Sequence, residues 1–117
     1  MKIEIFGLES REKRLLRSRI RKVMEKEGLS KDLNVVLVPP GYIRELNRRY
    51  RQRDFATDVL SFDLDDVAEI YIRKDDDMTL DSIWELTLHG LLHLLGYDHE
   101  DEESWRKMEA IARRYRS

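Results

Sequence analysis

The sequence predicts an α+β fold: a small mixed four-stranded sheet packed with helices, the central helix carrying an H-x-x-x-H motif. Three observations lead there. The 117 residues suit one domain, residues 1–117, around one modest core. Short β-prone runs and longer runs of helical period alternate in the order β-α-β-α-β-β-α-α, which implies a sheet covered by helices. One helix, from about Ser82 to Leu95, carries leucines all round, as a helix at the centre of a fold does.

Each element has its own signal. Lys2 to Phe6 alternates charged and apolar residues with Ile3 and Ile5 on one side, a strand pattern. Ser10 is placed to cap a helix that runs to about Glu27, with Leu15, Leu16, Ile20, Val23 and Met24 inward and Gly28 as its stop. Leu33 to Val38 is a β-prone run that reads as a largely buried strand, broken by Pro39-Pro40-Gly41. A short helix follows, with Ile43, Leu46 and Tyr50 inward and Arg44, Arg48 and Arg49 outward. Asp58 to Phe62 and Val67 to Ile72 form a strand pair across the turn Asp63-Leu64-Asp65-Asp66. Ser82 and Glu85 have capping-box spacing at the head of the central helix, and Gly96 ends it. The last helix begins near Asp101, with Trp105, Met108, Ile111, Ala112 and Tyr115 as its inner stripe and arginines at its negative C-terminal end.

Composition narrows the chemistry. Without cysteine there is no disulfide, thiolate ligand or cysteine nucleophile, so any metal is left to histidine and carboxylate. No signal-peptide run or membrane span is evident, so a cytoplasmic protein is expected. The net charge of −2 hides a segregation. From Arg11 to Arg53 there are fourteen Lys/Arg against five Asp/Glu, and from Asp54 to Glu103 two against sixteen. Such runs often make solvated helix faces, but a basic half also steers polyanions and an acidic half attracts cations.

All three histidines, His89, His93 and His99, lie in the pattern H-x-x-x-H-x-x-G-x-x-H. His89 and His93 project from one helix face about one turn apart, and Gly96 lets the chain fold His99 back towards them. A lone histidine on an apolar helix is usually a satisfied core residue; three at this spacing read as ligands of one metal ion. Three neutral imidazoles suit Zn²⁺ with a fourth position open, and they also accept nickel or copper. Asp98 and Glu100 are candidates to orient an imidazole N–H. The spacing is that of the metzincin peptidases, but Gly90 stands where they carry the general-base glutamate, so peptide chemistry lacks its base.

A second constellation is Asn47-Arg48-Arg49-Tyr50-Arg51-Gln52-Arg53, followed by Asp54 to Phe62. Its four arginines are candidates to grip phosphates, and Tyr50 and Phe55 to stack on a base. On composition alone the commoner arrangement is an exposed basic helix end with both aromatic rings in the core.

Together the two segments resemble one family. His89-Gly90-Leu91-Leu92-His93-Leu94-Leu95-Gly96-Tyr97-Asp98-His99 is similar to the H-G-x-x-H-L-x-G-Y-D-H signature of the YbeY family of bacterial endoribonucleases. Asn47 to Arg51, with Thr57 to Phe62, resembles that family's second segment, and the likeness runs from about Ile43 to Met108. It implies His89, His93 and His99 as zinc ligands, Arg51 as the arginine on which activity depends, and a small sheet with a central metal-bearing helix. It also implies cleavage of single-stranded RNA in 16S ribosomal RNA maturation and ribosome quality control. The chain is shorter than usual for the family and has Ala68 where the family has a glycine.

The expectation is therefore a zinc-dependent endoribonuclease with one metal per chain, acting on single-stranded RNA and the ribosome, with Arg48, Arg49 and Arg53 contacting RNA and no membrane involved. Two alternatives stand beside it: a zinc peptidase-like hydrolase, and a non-catalytic ribosome-assembly factor with a structural metal.

Overall fold

The computed structural model describes residues 1–97 and 101–116. The elements follow the expected order: β1 (Ile3–Phe6), α1 (Ser10–Glu27), β2 (Asp32–Val38), α2 (Pro40–Arg51), β3 (Val59–Leu64), β4 (Val67–Arg73), α3 (Leu80–Leu94) and α4 (Glu102–Tyr115). The strands form one sheet in the order β1-β2-β4-β3. β2 runs parallel to both β1 and β4, while β3 is antiparallel to β4 and forms an edge of the sheet. The sheet is therefore mixed, and residues 1–97 and 101–116 carry four helices around it.

Alternation along each strand divides the apolar residues between two faces. Ile3, Ile5, Leu33, Val35, Leu37, Ile70 and Ile72 face the main core, built with α1, α3 and α4 around the fully buried Leu16, Ile20, Leu88, Leu91 and Leu92. Val36, Val38, Leu60, Phe62 and Tyr71 face the other way, where α2 covers them with Ile43 and Leu46. This two-sided burial is why Leu33 to Val38 is apolar almost throughout. Ala68, also buried in the main core, pairs with Leu33 on one side and Asp63 on the other. Trp84 locks α4 down: its indole N–H donates to the Tyr115 carbonyl at 2.8 Å.

Several local expectations are corrected. Ser10 is the first helical residue of α1 rather than its cap, a place taken by Glu9 without a side-chain hydrogen bond. Leu15 is exposed because the buried stripe is Leu16, Ile20, Val23 and Met24, and Leu15 lies about 100° away around the helix. The box at the head of α3 joins Thr79 and Ser82, not Ser82 and Glu85, each side chain accepting from the other's backbone N–H. The hairpin turn is tighter than expected: Leu64 pairs with Val67, leaving Asp65 and Asp66, with Asp65 in the left-handed region at φ 45°. Trp105 and Tyr50 are half exposed instead of inward. On α4 the buried pair Met108 and Ala112 sets the inner face, and on α2 the buried Ile43 and Asn47 do the same.

Candidate functional site

The two motifs meet across edge strand β3. On the side of the sheet that carries α3, strand residues Val59, Ser61 and Asp63 and helix residues Leu86, His89, His93 and Leu94 line a cleft of ≈ 660 Å³. Arg51, Thr57, Asp58 and Leu60 complete it. His89 and His93 both reach it because four residues of helix return a side chain to nearly the same face.

Gly90 is what lets α3 lie this close to the sheet. A Cβ there would stand 2.8 Å from Ile70 Cγ2 and 3.0 Å from Ser61 Oγ. The Ser61 hydroxyl instead donates to the Gly90 carbonyl at 3.1 Å. The position that carries the glutamate base in peptidases of this spacing has no room for a side chain here.

Arg51 arrives from the opposite face of the sheet. It is the last residue of α2, after which Gln52 turns the chain in the left-handed region at φ 56°. Its guanidinium lies 4.8 Å from the centre of the Phe62 ring and donates to the Ser61 carbonyl at 2.9 Å. The side chain thus arches over the edge of β3 from the Phe62 side to the cleft. Both contacts are made by one planar guanidinium, a group that lysine lacks. The segment behind it is pinned: buried Asn47 donates its amide to the Phe55 carbonyl at 3.0 Å, and Arg73 donates to the Ala56 carbonyl at 2.9 Å and pairs with Asp58 at 2.7 Å.

Charge in the cleft is close to balanced. Asp58 has Arg73, Asp63 has Lys31, and Arg51 is the cation held against the strand edge. His89 Nε2 lies 3.7 Å from Glu85, whose carboxylate also accepts from Arg116 at 2.9 Å. The other arginines of the segment differ in their partners. Arg44 pairs with Asp54 at 2.8 Å, while Arg48 and Arg49 share Glu45 at 2.5 and 3.4 Å. These guanidinium groups hold Asp54 and Glu45 below the usual carboxylate range, chiefly by direct hydrogen bonds from Arg44 and Arg48. Arg53 makes no ion pair among the described residues.

Tyr50 and Phe55, the aromatic residues flanking Arg51, are 52% and 50% exposed. Tyr50 meets the Phe62 ring edge-on at 5.6 Å, and Phe62 meets Tyr71 at 5.8 Å, so a half-buried aromatic row supports the outer ring. Burial and the neighbouring Glu69 push the Tyr71 phenol up to about 12. Trp105, expected on the inner stripe of the last helix, is instead 52% exposed and borders a small depression of ≈ 160 Å³ with His89, Met108, Glu109 and Ala112.

His99, Asp98 and Glu100 lie outside the described residues. Among the described residues no group of three or more His, Asp or Glu side chains is assembled as a metal site. The two described histidines nonetheless fit a borderline-soft divalent cation: both line one cleft, imidazole nitrogen is a favoured ligand of such ions, and the helix spacing leaves further positions to other donors.

Comparison with known proteins agrees with the fold. A family model described as Endoribonuclease YbeY matches residues 3–83 and 68–117. The Endoribonuclease YbeY of Carboxydothermus hydrogenoformans is 39% identical over 100 residues, covering 73% of this chain and 70% of its own length. That of Thermotoga neapolitana is 38% identical over 115 residues, covering 86% and 76%. A solution structure of a Thermotoga maritima protein superposes with a TM-score of 0.59 at 30% identity, covering 94% of this chain and 86% of that one. On these matches, the chain belongs to the YbeY endoribonuclease family.

Proposed function

We propose that this chain is a zinc-dependent endoribonuclease that cuts single-stranded RNA in the cleft between β3 and α3, acting in 16S ribosomal RNA maturation and ribosome quality control. The observation that carries the reading is the meeting of Arg51 with His89 and His93 in one cleft, although 38 positions separate Arg51 from His89 in the sequence. The relatives, named as endoribonucleases, supply the reaction class.

His89 and His93, with His99, would hold one Zn²⁺ or a similar divalent ion. Such an ion supplies Lewis acidity and makes a water acidic enough to lose its proton near neutral pH. The rest falls to the chain itself. Arg51 is placed to bind the scissile phosphate and to stabilise the negative charge that grows on it. Its hydrogen bond to Ser61 and its place over Phe62 hold that charge in position before substrate arrives. Arg53 and the exposed outer faces of Arg48 and Arg49 offer further phosphate contacts. Tyr50 and Phe55 present rings on which unpaired bases stack, which a duplex, already stacked on itself, cannot use. Gly90 tells against a peptidase, since no base can stand on α3 between the two histidines.

The test offers matched single-stranded and duplex RNA to the purified protein and to Arg51→Ala. Selective cutting of the single strand, lost in the variant, supports the reading; equal cutting of both RNAs by both proteins overturns it.

A further inference from the structure

The cleft is poorly supplied with charge for holding a polyanion. Its two carboxylates, Asp58 and Asp63, already take up Arg73 and Lys31, which leaves Arg51 as its cation, and three of the arginines nearby are paired with Asp54 and Glu45. Phosphate contacts dominate RNA affinity, so uncommitted cations elsewhere on the surface would add to the grip of the few beside the cleft.

A second groove, of ≈ 530 Å³, lies between α1 and the C-terminal turn of α4. Arg19, Lys22 and Lys26 line it from α1 and Arg114 from α4, with Trp84 as its floor. Arg19 stacks over the Trp84 ring at 5.8 Å, and Trp84 is itself pinned by the Tyr115 carbonyl. The one carboxylate in the lining, Glu27, is taken up by the Tyr115 hydroxyl at 2.6 Å. Helix α1 carries eight Lys/Arg against three Glu. Its ion pair among the described residues is Arg19 with Asp81 at 3.4 Å, which leaves Lys22 and Lys26 uncommitted, as is Arg114. A groove with this surplus of cations, built on a rigid aromatic floor, is made for phosphate groups. It lies well away from the cleft, because His89 and His93 leave α3 roughly 140–180° around its axis from Trp84.

We propose that this groove is a second RNA site, holding backbone phosphates of the substrate some distance along the strand from the bond in the cleft. The proposal rests on the RNA reading of the cleft. A body of 37 × 34 × 30 Å means that only a long substrate reaches both places. An oligonucleotide of about five nucleotides, spanning roughly 17 Å at ~3.4 Å each, occupies the cleft alone. Shape and charge, not base identity, are what the groove reads.

The experiment compares the wild-type protein with Lys22→Gln/Lys26→Gln/Arg114→Gln, all three positions being exposed. Cleavage is measured on the short oligonucleotide and on a long RNA containing it. Binding of the long RNA is measured at several salt concentrations in a His93→Ala background, so that substrate is not consumed. The triple variant should cut the short RNA at the wild-type rate, which also shows that it is folded. It should bind the long RNA roughly tenfold more weakly, with a log affinity against log salt slope shallower by about two. Wild-type affinity and slope overturn the proposal, as does equal loss on the short and long RNAs. Displacement of the long RNA by polyglutamate as readily as by unlabelled RNA overturns it in favour of an acidic protein segment. If the wild type cuts neither RNA, the nuclease reading fails, while the binding measurement still reports on the groove.

Discussion

Ser61 donates its hydroxyl to the Gly90 carbonyl at 3.1 Å while its own carbonyl accepts from Arg51 at 2.9 Å. One residue of an edge strand therefore joins the histidine helix to the arginine. The contact exists only because position 90 has no side chain: a Cβ would fall 2.8 Å from Ile70 and 3.0 Å from Ser61 Oγ.

Gly90→Ala sets two effects against each other. Removing glycine from a helix interior contributes about 0.5–1 kcal/mol of stability, whereas overpacking a core contact costs about 1–3 kcal/mol. The collision is with a strand whose Ile70 is fully buried, so the cost prevails. A net loss of about 1–2 kcal/mol in urea unfolding, with weakened RNA cleavage, is the expected outcome. A more stable variant would show that α3 can move off the sheet freely.

Arg51→Lys keeps the charge but gives up the forked donor geometry and the guanidinium's place over Phe62. Activity on single-stranded RNA should fall at least tenfold, chiefly in kcat, with no shift in the urea midpoint because the side chain is exposed. Wild-type kcat in the lysine variant would mean that Arg51 supplies charge alone.

Tyr50→Ala and Phe55→Ala should each raise KM for single-stranded RNA, since stacking on an aromatic ring contributes about 1–3 kcal/mol per base. The kcat should hold, and Tyr50→Trp should restore KM. No change in either constant would remove these rings from the substrate path.

At alkaline pH two phenols control stability. Tyr71 and Tyr115 are both pushed up to about 12, mainly by burial, with help from Glu69 and Glu27 respectively. In the unfolded chain a tyrosine ionises near 10, so the folded state keeps its proton longer. That stabilisation is complete below about pH 10 and disappears as pH rises towards 12. Urea midpoints of the wild type should drop through this window, and those of Tyr71→Phe/Tyr115→Phe should drop less. Parallel curves would contradict the assignment.

Much of this was legible in the chain, for local reasons. The order of the eight elements follows from period-two and helical-period runs, and i, i+4 spacing alone puts His89 and His93 on one face. The meeting of Arg51 with the histidines was not readable from any local pattern; it came from resemblance. It depends on β4 inserting between β2 and β3, a long-range pairing that leaves β3 at the edge for Arg51 to cross. Tyr50 misled because it falls on the helical stripe of Ile43 and Leu46. In the structure buried Asn47 fills that end of α2, using its amide to hold the Phe55 carbonyl. Thr79 was overlooked as a cap because Ser82 and Glu85 imitate the same spacing one turn later.

The most direct test of the account is zinc content measured alongside cleavage of single-stranded RNA, for the wild type, for the wild type after chelation, and for His93→Ala. One zinc per wild-type chain, with cleavage lost on chelation and in the variant and restored to the chelated wild type by added zinc, is the result expected. Cleavage that persists undiminished in metal-free protein and in His93→Ala would contradict it.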